Sequence, residues 1–322
     1  MRGDVTTSAA EAIEAAAQPD WLAVITPAER KELCQQDNGH SWLTLASTWG
    51  LVFAAMALVA WKPNPLTVIV AIFVIGARQL GMAVIMHEAA HRTLFRNRRL
   101  NDWAGNWLGA FPIWSSTDAY RPYHLKHHAK NWTEDDPDLR LATPFPITTA
   151  SFRRKVLRDL TGRTGIKFAR FAWKRDVSLF VPDGESRPDG GRRFRGMLIT
   201  NGCMLAMLTL AGHPLLYLLW PAAWLTTYTL VTRFRSIAEH SMVPDPSDEL
   251  RNTRTTVARW WERLLLAPNR VNYHLEHHLM MTVPHYNLPR MHRLLRERGV
   301  LDHALVVTGY YGVLRLAASK AA

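Results

Sequence analysis

The sequence predicts an all-α integral membrane protein with four transmembrane helices in two hairpins and a cytoplasmic helical cap that holds a histidine-ligated dimetal site. Three observations support this fold class. Long apolar runs occur in two pairs, a short turn separates the members of each pair, and nine of the fourteen histidines lie on one side of these runs.

The first apolar pair begins with 42–61, twenty residues without a charge, and continues over 66–86. A bilayer core about 30 Å thick requires roughly 20 apolar residues in a helix, so the first run is long enough by itself. The linking residues 62–65, Lys-Pro-Asn-Pro, are turn formers and predict a tight hairpin. Arg78 and Gln79 interrupt the second run, and we expect them to face the bundle interior or to reach the interface.

The second apolar pair covers 197–212 and 215–230, with Gly212-His213-Pro214 as the turn. Basic residues concentrate away from the two turns: residues 92–195 contain 21 Lys and Arg against 11 Asp and Glu. By the positive-inside rule, the basic side, both termini and the metal site are expected to be cytoplasmic, most simply at the inner membrane. Buried core helices of a soluble protein are the alternative explanation of these runs.

The net charge of +12 indicates an acidic partner. Because the arginine-rich stretches flank apolar spans, anionic lipid headgroups are favoured and nucleic acid is not expected. The two cysteines form no CxxC pair, which is typical of a reducing compartment. Residues 1–41 lack the basic start and apolar core of a signal peptide.

No repeat or linker divides the chain, so residues 1–322 are interpreted as a single domain with five parts. The parts are a cytoplasmic N-terminal segment (1–41), spans one and two (42–91), a cytoplasmic and interfacial section (92–195), spans three and four (196–234) and a cytoplasmic cap (235–322).

Within these parts we expect five local features: a helix start at Thr26 (26–29), an interfacial or re-entrant helix (101–114), a membrane-surface helix (152–173), a loop (182–191) and a basic helix that starts near Pro289 (287–289).

Nine histidines carry the strongest chemical signal. They form one H-x3-H pattern, two H-x2-H-H patterns and one outlying residue: His87 and His91; His124, His127 and His128; His274, His277 and His278; and His240. Residues three and four apart share a helix face, so each cluster is expected to present its imidazoles in one direction. Imidazole suits zinc, copper, iron and nickel. Nine nitrogens are too many for one ion and about right for two.

Two other metal-binding classes compete with a dinuclear redox site. The segment 87–91 is HExxH, the motif of an intramembrane zinc metalloprotease in which Glu88 would be the general base. Such a site needs three protein ligands and an open position, which leaves six of the nine histidines unexplained. A non-catalytic membrane metal carrier is the other alternative, but a transporter is expected to place its ligands near mid-bilayer.

The three histidine clusters and the residues around them resemble the membrane fatty-acid desaturase/hydroxylase superfamily, whose members carry three histidine boxes. The matching segments are 86–92, 235–240, 272–278 and 286–289, and the resemblance covers about residues 40–300. It implies a non-haem di-iron centre of two Fe ions held by the nine histidines, with O2 as co-substrate.

Three glutamates adjoin the expected ligands: Glu88, Glu239 and Glu276. Carboxylates commonly accept the second N–H of a ligating histidine, so we predict supporting roles for them, with plain surface glutamates as the alternative.

Other supporting positions follow from the resemblance. Asp135, Asp136 and Asp138 resemble acidic positions after the second box in the family, and they are candidates to orient ligands. In related acyl-CoA desaturases an Asn one turn before the isolated histidine contacts the metal region, whereas Ser236 stands at that position here. His285 is at most a supporting polar group.

The resemblance implies an oxidoreductase that uses O2 to introduce a double bond into a lipid acyl chain taken from the bilayer. A hydroxylase or ketolase acting on a fatty acid, sphingolipid, carotenoid or alkane stays open. The sequence contains no His-Pro-Gly-Gly box, CxxC pair or glycine-rich dinucleotide motif. A separate electron donor is therefore implied (a ferredoxin, a rubredoxin or cytochrome b5), and the arginine-rich face could dock an acidic one. The sequence leaves the headgroup, the chain length, the regiochemistry and the oligomeric state open.

Overall fold

The computed structural model of the chain describes residues 20–176 and 190–321, and these are mostly helical. The α-helices, numbered α1 to α15 in chain order, are Pro27–Leu33, Asn38–Trp61, Pro65–His91, Arg98–Ala104, Thr117–Lys130, Leu139–Ala142, Thr149–Leu160, Arg163–Asp176, Gly190–Leu210, Leu219–Leu225, Thr227–His240, Trp260–Leu265, His274–Leu279, Leu288–Glu297 and Tyr310–Ala317. Two three-residue strands, β1 (Thr255–Val257) and β2 (Val306–Thr308), pair in parallel.

Helices α2 and α3 form the first expected hairpin. Asn64 caps α3 by accepting a hydrogen bond from the Thr67 backbone, and Pro65 occupies the first turn, where its missing N–H costs nothing. Helix α3 is the central element: it packs against α2, α5, α10 and α11, and nearly every residue from Ile75 to Ala90 is buried. This continuous burial explains why the second apolar run has no polar face.

The two polar residues of α3 lie inside the bundle. Arg78 is 5% exposed and donates to the backbone carbonyl of Leu264, while the Gln79 amide donates to the Trp220 carbonyl at 3.0 Å. Interior placement, one of the two positions expected for them, is therefore the one that the structure adopts.

The second apolar pair is less regular than the first. Helix α9 runs to Leu210, a turn follows, and the return path consists of a 3-10 turn (Pro214–Leu218), α10 and α11. The backbone breaks at Thr226, which has φ −117° and ψ −84°. Among the described residues, three helical segments are long and apolar enough to cross a membrane: 27–61, 65–91 and 214–240. Helix α9 is not among them, so the four-span arrangement stays a prediction.

The segment 101–114, expected to be one interfacial helix, is three pieces: the end of α4, a π-helix (Gly105–Ala110) and a 3-10 turn (Phe111–Ile113). The surface helix expected over 152–173 is the pair α7 and α8. Gly165 of α8 lies against the backbone next to the break at Thr226. A Cβ added to Gly165 would lie 2.3 Å from the Leu225 carbonyl oxygen. Glycine thus permits α8 to pack directly on the interrupted helix.

Helix α1 packs against the C-terminal helix α14, and the two share an apolar cluster. This cluster includes Leu33 of α1 with Met291 and Leu295 of α14. The helix starts expected at Thr26 and near Pro289 are confirmed, since Thr26 makes a capping box with Glu29 and Pro289 lies in the first turn of α14. The expected loop 182–191 and the first part of the N-terminal segment lie mainly outside the described residues, and Gly190 and Gly191 begin α9.

Candidate metal centre

The nine clustered histidines converge at the ends of four helices. Their ring nitrogens form two groups, and within each group all the ligand atoms lie within 4.8 Å of one another. We call the first the five-histidine group (His87, His91, His124, His128 and His277) and the second the four-histidine group (His127, His240, His274 and His278).

Each H-x2-H-H triplet is divided between the two groups, which the pattern of spacing did not reveal. In α5, His124 and His128 belong to the five-histidine group and His127 belongs to the other. In α13 the assignment is reversed: His274 and His278 belong to the four-histidine group. Residues four apart point in nearly the same direction, whereas the residue between them is rotated toward the neighbouring group. The expectation that a whole cluster points one way is therefore wrong for both triplets.

The two groups are adjacent. The rings of His128 and His278, one from each group, stack with centroids 4.3 Å apart. His127 and His128, also from different groups, have centroids 5.8 Å apart. This proximity is what a dinuclear centre requires.

Several contacts between ring nitrogens have the spacing of ligands to one ion. The Nε2 atoms of His124 and His128 are 3.0 Å apart, as are those of His128 and His277, and those of His240 and His274 are 2.8 Å apart. Two imidazoles about 2.1 Å from a metal at a right angle have nitrogens about 3 Å apart. The donor atoms are therefore already at coordination distance from each other.

Buried ring nitrogens without partners also fit a metal site. Within the described part of the chain, four such nitrogens have no hydrogen-bond partner: Nε2 of His87, Nε2 of His91, Nδ1 of His240 and Nε2 of His278. His87 Nδ1 lies 3.4 Å from Glu88 Oε1. An unpaired buried polar atom costs about 1–3 kcal/mol, so several in one place indicate an additional electrophile. Metal ions bound by the two groups would use such nitrogens.

Five histidines on α5 and α13, which lie outside the apolar helices, are favoured in the neutral form that binds metal because they are buried. Burial lowers the pKa of His274, His277 and His278 well below its ordinary value, and the neighbouring histidines lower it further. The same causes lower the pKa of His124 and His128. A proton therefore competes weakly with a metal ion for these nitrogens.

Asp136 holds His127 in one orientation. Its Oδ1 accepts from His127 Nδ1 at 2.8 Å, which leaves Nε2 for the metal side. Burial alone would raise the pKa of Asp136, but hydrogen bonds from His127 and from backbone amides lower it below its ordinary value. Asp135 points outward and lies 4.0 Å from Lys126, while Asp138 accepts from the Tyr123 hydroxyl.

The three glutamates differ in their contacts. Glu88 Oε2 accepts from the Thr93 hydroxyl at 2.8 Å and from the His285 backbone at 3.0 Å. Glu276 accepts from the Thr255 hydroxyl at 2.5 Å and faces His292 Nδ1 at 2.5 Å. Glu239 receives Arg235 Nε at 2.6 Å on one oxygen.

Glu239 also contacts an expected ligand, because its other oxygen lies 3.6 Å from His274 Nε2. His285 bridges Glu88 to the Thr44 hydroxyl at 3.0 Å. Ser236 is half-buried on α11. Supporting roles for the three glutamates remain predictions.

Sequence reasoning missed two arginines that fix the ends of the ligand-bearing helices. Arg121 donates to the carbonyls of Ala89 and Ala90 at 3.0 Å, next to His91. Arg254 donates to the carbonyls of Ala238 and Ser241 at 2.9 and 3.0 Å, on either side of His240. The last carbonyls of a helix lack intrahelical partners, and cations there are favourable. No sequence pattern signals such distant pairs.

Comparison with known proteins agrees with this geometry. The sequence profile of the family described as "Fatty acid desaturase" matches residues 63–310. The chain is similar to dihydrorhizobitoxine desaturase of Bradyrhizobium elkanii, with 28% identity over 80% of this chain and 76% of the relative. The sn-1 oleoyl-lipid 12-desaturase of Arthrospira platensis is 25% identical over 79% of this chain and 75% of its own length.

A plant protein is also similar. The chloroplastic omega-6 fatty acid desaturase of Brassica napus is 23% identical over 83% of this chain, which spans 62% of that relative. The family match includes all nine histidines, so the resemblance noted in the sequence is confirmed. This protein belongs to the fatty acid desaturase family and is an oxidoreductase of that family.

Proposed function

We propose that this protein is an integral membrane di-iron desaturase that introduces a double bond into a lipid acyl chain. The observation that carries the proposal is the pair of adjacent all-histidine groups, which include His87, His91 and His240 at the ends of two apolar segments. A zinc protease would use three ligands and leave the second group without a role. The names of the relatives favour desaturation over hydroxylation within the family.

The two iron ions would be held by the five-histidine and four-histidine groups. Bound there, they supply the O2-dependent oxidation that removes hydrogen from an unactivated C–H bond. The chain's own residues hold the ligands still: Asp136 orients His127, and Arg121 and Arg254 fix the helix ends. Such fixed ligands reduce the reorganisation that the reaction requires.

We further propose four spans, with α9 as the third, and a cytoplasmic metal centre. The hairpin turns at 62–64 and 211–213 precede α3 and the helical segment 214–240, and His91 and His240 lie at the opposite ends of these two segments. The basic residues are concentrated on the histidine side, which the positive-inside rule assigns to the cytoplasm.

Electrons are proposed to come from a separate ferredoxin, rubredoxin or cytochrome b5. An exposed basic face on α14 suits an acidic donor: Arg290, Arg293 and Arg296 are exposed, while Leu288, Met291 and Leu295 are buried. Helices α7 and α8 differ, because Leu157, Phe168, Phe171 and Trp173 are exposed among their basic residues. Mixed apolar and basic exposure is typical of a lipid-facing surface.

The test compares lipids from cells that express the wild-type protein, His127→Ala or His213→Ala, with iron and zinc measured on each purified protein. His213 is an exposed lone histidine and serves as the matched control. We expect an O2-dependent loss of two hydrogens from an acyl chain in the wild type and in His213→Ala, and none in His127→Ala. An acyl chain that gains one oxygen atom instead would identify the reaction as hydroxylation. Activity with zinc alone and without O2 would contradict the di-iron proposal.

A substrate other than a lipid acyl chain is the second candidate, favoured by the 28% identity to dihydrorhizobitoxine desaturase, whose name mentions no fatty acid or lipid. The water-soluble fraction of the same cells separates the two classes. Loss of two hydrogens from a soluble metabolite, with unchanged acyl chains, would assign the enzyme to the small-molecule class.

A further inference from the structure

The two histidine groups are unequal in donor number. One has five imidazoles and the other has four, although both are built from the same kinds of helical pattern. The four-histidine group therefore has room for one more protein donor. The side chain best placed to be that donor is a glutamate on α11.

Glu239 directly precedes His240 and is 3% exposed. Its two carboxylate oxygens have different surroundings. Oε1 accepts from Arg235 Nε at 2.6 Å, and Oε2 lies 3.6 Å from His274 Nε2, the same nitrogen that lies 2.8 Å from His240 Nε2. Oε2 thus faces the nitrogens that converge on the metal, on the side where a ligand would lie.

The distance is close to that of co-ligands. Two donors about 2.1 Å from one ion are about 3.0 Å apart at a right angle and about 3.4 Å apart in tetrahedral geometry. The separation of 3.6 Å between Glu239 Oε2 and His274 Nε2 exceeds the tetrahedral figure by a few tenths of an ångström.

The other two glutamates of the histidine boxes do not share this placement. Both oxygens of Glu276 are engaged, by Thr255 and by His292. Glu88 directs Oε2 to Thr93 and His285, and its Oε1 lies 3.4 Å from His87 Nδ1, in the group that already has five imidazoles. Of these three glutamates, Glu239 alone lies against a nitrogen of the four-histidine group, and that nitrogen is itself paired with another ligand nitrogen.

We propose that Glu239 supplies a carboxylate ligand to the ion of the four-histidine group, with Arg235 holding the carboxylate in place. One ion is then bound by five neutral imidazoles, and the other by four imidazoles and one anion. The two ions differ in net charge by one unit, and the arginine partly offsets that difference. This inference rests on the di-iron proposal and assigns Glu239 a direct role instead of the support of a histidine N–H.

The test loads purified wild-type protein, Glu239→Gln and Glu262→Gln with Mössbauer-active iron and measures both the spectrum and the loss of iron to a chelator. Glu262→Gln is the matched control, since Glu262 is also a buried glutamate but lies outside the histidine boxes. We expect two unequal iron signals in the wild type. In Glu239→Gln one signal changes, and its iron is lost about 10–100-fold more readily, while the other signal is kept. Glu262→Gln keeps both.

Unchanged spectra and iron retention in Glu239→Gln would overturn the inference, as would equal losses in both variants. If Glu239→Gln is not recovered folded, Glu239→Asp replaces it, because the shorter carboxylate keeps the charge but withdraws from the ion. If neither variant folds, the wild type decides: a single signal for both irons overturns the inference. Protein that binds no iron contradicts the proposed function itself, whereas two irons unaffected at Glu239 contradict this inference alone.

Discussion

His127 shows how single residues set the chemistry of the centre. It belongs to the four-histidine group although both of its neighbours in the second box belong to the other group. Asp136 lies nine residues later in the chain, and its carboxylate accepts a hydrogen bond from His127 Nδ1. The carboxylate therefore fixes which ring nitrogen is free and where it points.

We expect Asp136→Asn to reduce metal affinity or activity by about 10–100-fold, because an amide is a weaker acceptor and no longer selects the tautomer. Iron content and turnover of the purified variant measure the effect. Asp135→Asn is the matched control, since the Asp135 side chain is 68% exposed. Equal losses in the two variants would contradict the role of Asp136.

At the scale of elements, close approach between α3 and α11 positions His87 and His91 relative to His240. A Cβ at Gly76 would lie 2.1 Å from Thr227 Oγ1 and 2.8 Å from the Tyr228 nitrogen. Thr227 also donates to the Ile72 carbonyl at 2.7 Å. The two helices therefore meet backbone to backbone at this level.

Gly76→Ala is expected to lower the free energy of unfolding by about 1–3 kcal/mol, because the added methyl forces the helices apart. Gly50→Ala is the control: it is also within a helix, nothing lies within 4 Å of the added Cβ, and alanine is the better helix former. Thermal unfolding in detergent gives both values. A Gly76→Ala variant as stable as Gly50→Ala would contradict close packing here.

Helix α14 allows the electron donor to be tested separately from the lipid. We expect Arg290→Glu with Arg293→Glu to raise the KM for an acidic ferredoxin at least several-fold, because like charges then oppose docking. Iron content should not change. The pair Arg153→Glu and Arg158→Glu on α7 is the charge-matched control and should leave that KM unchanged. If only the α7 pair raises the KM for the donor, the docking face lies on α7.

At the scale of the whole molecule, the proposed topology places the hairpin turns and the histidines on opposite sides of the membrane. Asn64 lies in the first turn and Ser247 follows His240, and both are exposed. With Cys34 and Cys203 replaced by serine, an impermeant maleimide should label Asn64→Cys in intact cells. It should label Ser247→Cys only after permeabilisation. The reverse pattern would invert the topology.

The first hairpin, the family and the nine convergent histidines could be predicted from the sequence, because hydropathy and spacing within one helix are local properties. The division of His124, His127 and His128 between two groups could not, since it depends on how α5 is rotated against α3 and α13. The caps supplied by Arg121 and Arg254 are likewise contacts between distant segments. The break at Thr226 escaped detection because its apolar neighbours read as a continuous span.

Each histidine group takes one ligand from the triplet that supplies mainly the other group, and this arrangement has a consequence for biosynthesis. The five-histidine group needs His277, and the four-histidine group needs both His127 and His278. A nascent chain that has emerged as far as His240 therefore has neither group complete. If the two groups bind the proposed ions, neither ion has its full set of histidine ligands until residue 278 has been synthesised, and a chain released by a ribosome that stalls earlier lacks ligands for both.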